Sequence, residues 1–290
     1  MNAADQSGDA VSVDLCIKER SFTIMKKKLF CMLAVMLMVL GLAACGGDKD
    51  GGSSDSGKSD FDTFMEVQKK MQDIKDMEFK MDMDMDMALS ESEKTSTAIT
   101  GTCKEVIKSK DDVQMEMKYT MNIPELEQKM DGTVYFKDGI VYTDIMGQKI
   151  KTDSTSELAS TVQTVDTSEM LNITKEMVSD LQVKTEGSDT IYSFKIDPTK
   201  ALDYFKNNAS GYEDIAALGD NITFDRMNVV VTTDDKQMVK NIDLDCAMAA
   251  KVEGDESMNV AYKIAVEFVS INTDLKIDFP DFSDYQEVTV

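Results

Sequence analysis

Methionine is the residue whose placement first suggests chemistry. Phe79, Met81, Met83, Met85, Met87 and Leu89 alternate with Glu78, Lys80, Asp82, Asp84, Asp86 and Ala88, and Val113, Met115, Met117, Tyr119 and Met121 repeat the pattern. Thioethers are soft ligands suited to Cu(I), and carboxylates are hard ligands suited to calcium. Either metal needs its donors to converge on one centre. Same-face neighbours on a strand stand ~6.8 Å apart, because each residue rises ~3.4 Å. Two flexible thioethers can meet on one ion, but a ladder of five cannot. The same spacing keeps Asp82, Asp84 and Asp86 from gathering around a calcium ion at ~2.4 Å, and the EF-hand pattern with its glycine and terminal glutamate is missing. Period two instead describes a strand with one wet face and one apolar face filled by an adaptable side chain. That apolar face is either core or the wall of a cavity for an apolar guest.

The other reactive groups are sparse. There is no histidine or tryptophan among the 290 residues. Histidine-based dyads and triads and imidazole–zinc sites are therefore excluded. Glu105, Glu116 and Glu125 are candidate acid–base carboxylates, but no spacing singles out a pair. The glycine pairs Gly46-Gly47 and Gly51-Gly52 follow no strand, so they form no phosphate loop. Nothing here forms a catalytic signature; the expected protein is not an enzyme and needs no cofactor and no metal. Cys103 and Cys246 lie far along the chain. Cys246 falls on the apolar side of its alternating segment, and two unpaired, buried thiols are the expected state, with a single bridge, which export permits, as the alternative. The net charge of −23, from 54 acidic and 31 basic residues, repels nucleic acid, which needs a positive surface.

The front of the chain carries a different chemistry. Met25 is followed by three lysines, then by an almost wholly apolar run from Leu29 to Leu40, then by Gly41-Leu42-Ala43-Ala44-Cys45-Gly46-Gly47. Basic start, apolar core and small residues in that order describe an export signal. The apolar stretch is short for a helix that must cross ~30 Å of hydrocarbon. Leu42, Ala43, Ala44 and Cys45 resemble the bacterial lipobox. That resemblance implies an S-diacylglyceryl group on Cys45, cleavage before it by prolipoprotein-processing enzymes, and a mature protein held by acyl chains, palmitate among them, on the outer face of the cell membrane. Two or more acyl chains anchor stably where one is marginal. Residues 1–24 are expected to be an upstream extension outside the mature protein, 25–44 the signal peptide, and 45–60 a Gly/Ser/Asp tether behaving as flexible coil.

The folded part is expected over 61–290 as one domain. Phe61, Phe64, Val67, Met71 and Ile74 recur at helical spacing after Ser59 or Asp60 as cap. Gly132 to Phe136 and Ile140 to Ile145 flank a hairpin turn at Lys137-Asp138-Gly139. Met170, Ile173, Met177 and Leu181 predict a helix over 167–181, and Asp197-Pro198 predicts the start of another carrying Ala201, Leu202 and Phe205. Residues 191–196 and 222–233 read as strands, with a turn at Asp234-Asp235-Lys236. Ile242, Leu244, Cys246, Met248 and Ala250 alternate, as do Met258, Val260, Tyr262, Ile264, Val266 and Phe268. Long strands joined by tight turns favour antiparallel pairing. The expected class is α+β, a single large antiparallel sheet with helices across its apolar face.

These features, with Val134-Tyr135-Phe136-Lys137-Asp138-Gly139-Ile140-Val141-Tyr142 and Asp278-Phe279-Pro280 in order, resemble a Gram-positive lipoprotein family of unknown function with the LolA/LppX-like fold. The resemblance implies a curved sheet, a half-open barrel, with helices on its concave side and a space between that takes lipid chains. The candidate lining of such a cleft is Phe79, Met81, Met83, Met85, Met115, Met117, Ile242, Leu244, Val260, Tyr262 and Ile264. The expected partners are the membrane and a lipid ligand; no particular protein partner is indicated. A closed-core structural or interaction lipoprotein is the alternative.

Overall fold

The structure is a computed structural model that describes residues 59–88, 94–109, 112–124, 128–152, 173–197, 199–200, 222–251 and 257–287. The expected lipobox, most of the tether, and Ala201, Leu202 and Phe205 lie outside these residues. Among them, helix α1 (Asp60–Gln72) precedes twelve strands. These are β1 (Asp76–Ala88), β2 (Lys94–Ser109), β3 (Asp112–Ile123), β4 (Gln128–Lys137), β5 (Ile140–Ile145) and β6 (Gln148–Thr152). They continue with β7 (Val178–Glu186), β8 (Asp189–Ile196), β9 (Ile222–Thr233), β10 (Val239–Lys251), β11 (Ser257–Ile271) and β12 (Gln286–Glu287).

All twelve join one open sheet in the order β12-β6-β5-β4-β3-β2-β1-β11-β10-β9-β8-β7. Every pairing is antiparallel except β12 with β6. The chain thus lays down two meanders, β1–β6 and β7–β11, and joins them by pairing β1 with β11. The tight turns work as expected. Lys137 pairs with Ile140 around Asp138 (φ 53°) and Gly139 (φ 74°), a left-handed pair that suits a two-residue hairpin. At the β9–β10 turn the Asp234 carboxylate accepts from the Lys236 and Met238 amides at 2.9 and 2.8 Å.

The expectation of an α+β class is corrected to mostly β, since α1 is the one complete helix among the described residues. The helix expected over 167–181 is overturned at its end, where Val178 to Leu181 belong to β7. The cause is a bulge. The register of β7 against β8 shifts between Ser179 and Gln182, with Asp180 at φ 56°. An extra residue in a strand shifts its two-residue phase, so Val178 and Leu181 are both partly buried at a spacing of three and imitate a helix face. Ile173 and Met177 do reach the core, but Met177 sits at a turn, its amide donating to the Thr174 carbonyl at 3.0 Å.

Helix α1 forms where expected because Ser59 and Asp62 cap it reciprocally. The Asp62 amide donates to Ser59 Oγ at 3.2 Å, and the Ser59 amide donates to the Asp62 carboxylate at 3.0 Å. Phe64, Val67 and Met71 face inward. The Phe64 ring meets Phe194 edge-on at 4.9 Å and Tyr192 at 5.5 Å, which seats α1 over β8. On the other side of the sheet, Phe282 stacks on Tyr142 at 3.7 Å and meets Tyr135 at 5.6 Å. The two segments that carried the family resemblance, around Tyr135–Tyr142 and after Asp278, are thereby packed together.

Candidate functional site

The alternation in β1 becomes a two-sided wall. Met77, Phe79, Met81, Met83 and Met85 are buried, while Lys80, Asp82, Asp84 and Asp86 are exposed. Pairing registers extend the buried side across the sheet. Val229, Leu244, Ile264, Met83, Ile99 and Met121 form one row from β9 to β3. Ile242, Val266 and Met81 begin the next, and Met248, Val260 and Met87 form another. Phe79, Cys103 and Met117 lie in a further row. The sequence-named residues therefore share one face. They are also closely covered, with Phe79, Met81, Met83, Met85, Met115, Met117, Ile242, Leu244, Val260, Tyr262 and Ile264 all between 2% and 8% exposed.

One interruption of this face accommodates a ring. A Cβ built at Gly132 would come within 2.4 Å of the Tyr119 ring. Glycine at that position lets the tyrosine lie across β4.

Several polar side chains stand on or against the apolar side, buried Thr143, Thr152 and Thr233 among them. Tyr262 stands opposite Cys246 across the β10–β11 pair, and burial, with the neighbouring Cys246, pushes its phenol well above the usual range. Thr97, paired with Met85, is 3% exposed and its Oγ1 has no hydrogen-bond partner. Gln68 of α1 is 6% exposed and its Oε1 is likewise unpartnered. A buried polar atom without a partner forfeits roughly 1–3 kcal/mol of solvation.

Another is Glu105. It falls in phase with Ile99 and Cys103 on the buried side of β2, opposite Met77 on one flank and Met115 on the other. It is 4% exposed, and no described side chain gives it a hydrogen bond or an ion pair. Burial alone raises its pKa to about 7. Burial, and after it the charges of Glu105 and Glu116, push the Cys103 thiol well up, so that cysteine is a poor nucleophile. Glu116 is paired opposite Lys104 and salt-bridged to Lys118 at 2.9 Å, so it occupies the other phase and makes no acid–base pair with Glu105. Glu125 lies outside the described residues.

Cys103 and Cys246 are both free and buried. Three strand steps separate β2 from β10, about 14 Å of sheet width, and a disulfide tolerates less than ~7 Å between Cα atoms. On the wet side, an open trough of about 680 Å³ runs past Lys80, Asp82, Lys118, Asp131 and Asp144. Thr120 donates to Asp131 there at 2.6 Å, and lysines and aspartates both line the trough.

Sequence reasoning named Glu105 but could not select it. The available signal was its phase with Ile99 and Cys103, which is visible only once β2 is recognised as a strand. Gln68 and Thr97 carried no signal of their own.

A family model described as "Family of unknown function (DUF6612)" matches residues 62–282. No curated protein matches the sequence. Among solved structures the chain is similar to LprF from Mycobacterium bovis, with 9% identity and a TM-score of 0.42, over 77% of this chain and 99% of that one. It is also similar to a LolA superfamily protein from Nitrosomonas europaea, with 9% identity, a TM-score of 0.22 and coverage of 64% and 84%. A putative outer membrane lipoprotein-sorting protein domain from Vibrio parahaemolyticus matches at 10% identity and a TM-score of 0.23, over 69% and 87%.

Proposed function

The chain belongs to the DUF6612 family of unknown function, and we propose that it is a membrane-anchored envelope lipoprotein that binds or carries an acyl chain against the Met-rich sheet face. The observation that carries this reading is the make-up of that face. Unbranched thioethers with three rotatable bonds line β1 and β3, beside the branched aliphatics of β10 and β11, and Met surfaces remould around irregular apolar guests. Buried polar atoms left without partners stand on the same side, at Thr97 and Gln68. The lipobox at Leu42–Cys45 supports an address on the outer membrane face, anchored through the S-diacylglyceryl cysteine. The reading is non-catalytic.

A closed core is the second reading. It is favoured by the near-complete burial of the ladder, since Met81, Met83 and Met85 are each 4% exposed or less. A guest must then displace what covers the face. The two readings separate by NMR of the full chain with ¹³C-labelled methionine methyls, titrated with 1-monopalmitoylglycerol and with hexadecylamine. The carrier reading expects shifts at Met81, Met83, Met85 and Met117 while Met146, 72% exposed, stays put. Shifts confined to Met32, Met36 and Met38 in the apolar leader, or none at all, establish the closed core.

A further inference from the structure

Glu105 is the buried charge that neither packing nor the proposed carrier role uses. A carboxyl kept 4% exposed between Met77 and Met115, with no partner among the described residues, is costly to bury, because a charge out of water needs a counter-charge or hydrogen bonds. It does not belong to a satisfied polar network, unlike Asp76, which accepts from the Thr273 and Asp274 amides at 2.8 and 3.2 Å. Its place along the strand adds a second fact. Glu105 stands opposite Met77 at the start of the β1 ladder, and Thr97 stands opposite Met85 near its far end. The eight residue steps between them span about 27 Å. Half a hydrocarbon core is roughly 15 Å, so the wall is long enough for one acyl chain with its head at one end.

We infer that Glu105 is the head-group acceptor of the proposed apolar site, taking an amphiphile whose head donates hydrogen bonds and whose chain lies along Met77–Met85 toward Thr97. The inference rests on the carrier reading above and refines its ligand class. The head is a hydroxyl or an ammonium rather than an anion. Glu105 offers only oxygen acceptors when ionised, and a carboxylate or phosphate head would meet like charge in a dry setting. No covalent step is involved.

The test uses the same methionine-methyl titration on the full chain at pH 8, comparing wild type with Glu105→Leu and Glu105→Gln. The apolar leader is common to all three, so differences between them report the sheet face. The probes are hexadecylamine, 1-monopalmitoylglycerol and palmitate, and affinity is read from the Met81 and Met83 shifts. Wild type is expected to bind the amine and the glyceride at least about tenfold more tightly than palmitate, the scale of one charge-assisted hydrogen bond. Glu105→Leu is expected to remove that preference while palmitate binding holds. Glu105→Gln keeps the shape and an acceptor, so it should retain the glyceride and lose the amine; retention of the amine alone by wild type would assign an ammonium head. If the ladder methyls respond to every probe equally in wild type and Glu105→Leu, the head-group role is wrong and the carrier reading stands. If they respond to no probe, both fall.

Discussion

Ionising Glu105 inside a wall of thioethers lowers stability, and the sign follows from proton uptake. Its folded pKa of about 7 lies above the ordinary 4.5, so between these values the native state holds a proton that the unfolded state has released. Stability therefore falls as pH rises through that window, and the loss is complete above about pH 7. A shift of this size corresponds to about 3 kcal/mol. Glu105→Leu is expected to gain about 3 kcal/mol over wild type at pH 8 relative to its difference at pH 4.5, measured by urea unfolding at both pH values. A wild-type-minus-variant difference that does not change with pH would show that the carboxyl finds a partner or water. The inward phase of the methionines was legible residue by residue, because period two needs no neighbour to be seen. The solitary carboxylate was not, since its cost arises only when Met77 and Met115 close on it from two other strands.

At the level of elements, the start of the first helix was legible to within a residue, while Ile74, read on the same face, lies past its end at Gln72. Its cap, its polar first turn and its inward stripe are all local. Ser59→Ala removes the side-chain arm of the capping box, leaving the residue-59 amide on the Asp62 carboxylate, and is expected to destabilise the chain by about 1 kcal/mol. Hydrogen exchange of the Asp62 and Thr63 amides should rise with it; unchanged exchange would mean that Phe64 packing on β8 alone holds the turn. The second helical expectation failed because a bulge at Ser179–Gln182 copies the spacing of three. Strand β2 went unread for another reason. Its exposed side is threonine and lysine, and its buried side includes Thr97, Gly101 and Glu105, so hydropathy hides an alternation that the burial pattern makes plain.

Across the whole molecule, two meanders close against each other through β1 and β11, and the proposed anchor lies ahead of both. The lipoprotein reading makes Cys45 its point of attachment. Cys45→Ser is expected to abolish processing and move the protein from the membrane fraction to the soluble fraction or the medium, read by immunoblot of fractionated cells. A serine variant still cleaved and retained would remove the anchor from the proposal. The C-terminal aromatics act at the same scale. Phe282 on Tyr142 fastens the end of the chain to the wet side of β4 and β5, and the last strand pairs parallel with β6. Both segments were noticed separately, but their contact joins residues more than 130 positions apart.

The order of apolar and polar residues by itself determined the first helix, the hairpin turns and the inward phase of β1, β3, β10 and β11, because each depends on backbone geometry within a few residues. The lipobox resemblance is equally local. The tertiary structure alone decided that the twelve strands join one sheet with β1 beside β11, that Cys103 and Cys246 stand too far apart to bond, and that Glu105 faces methionine on both flanks. Those outcomes depend on which distant strands become neighbours, and that choice is made by summed burial over the whole face rather than by any short stretch of residues.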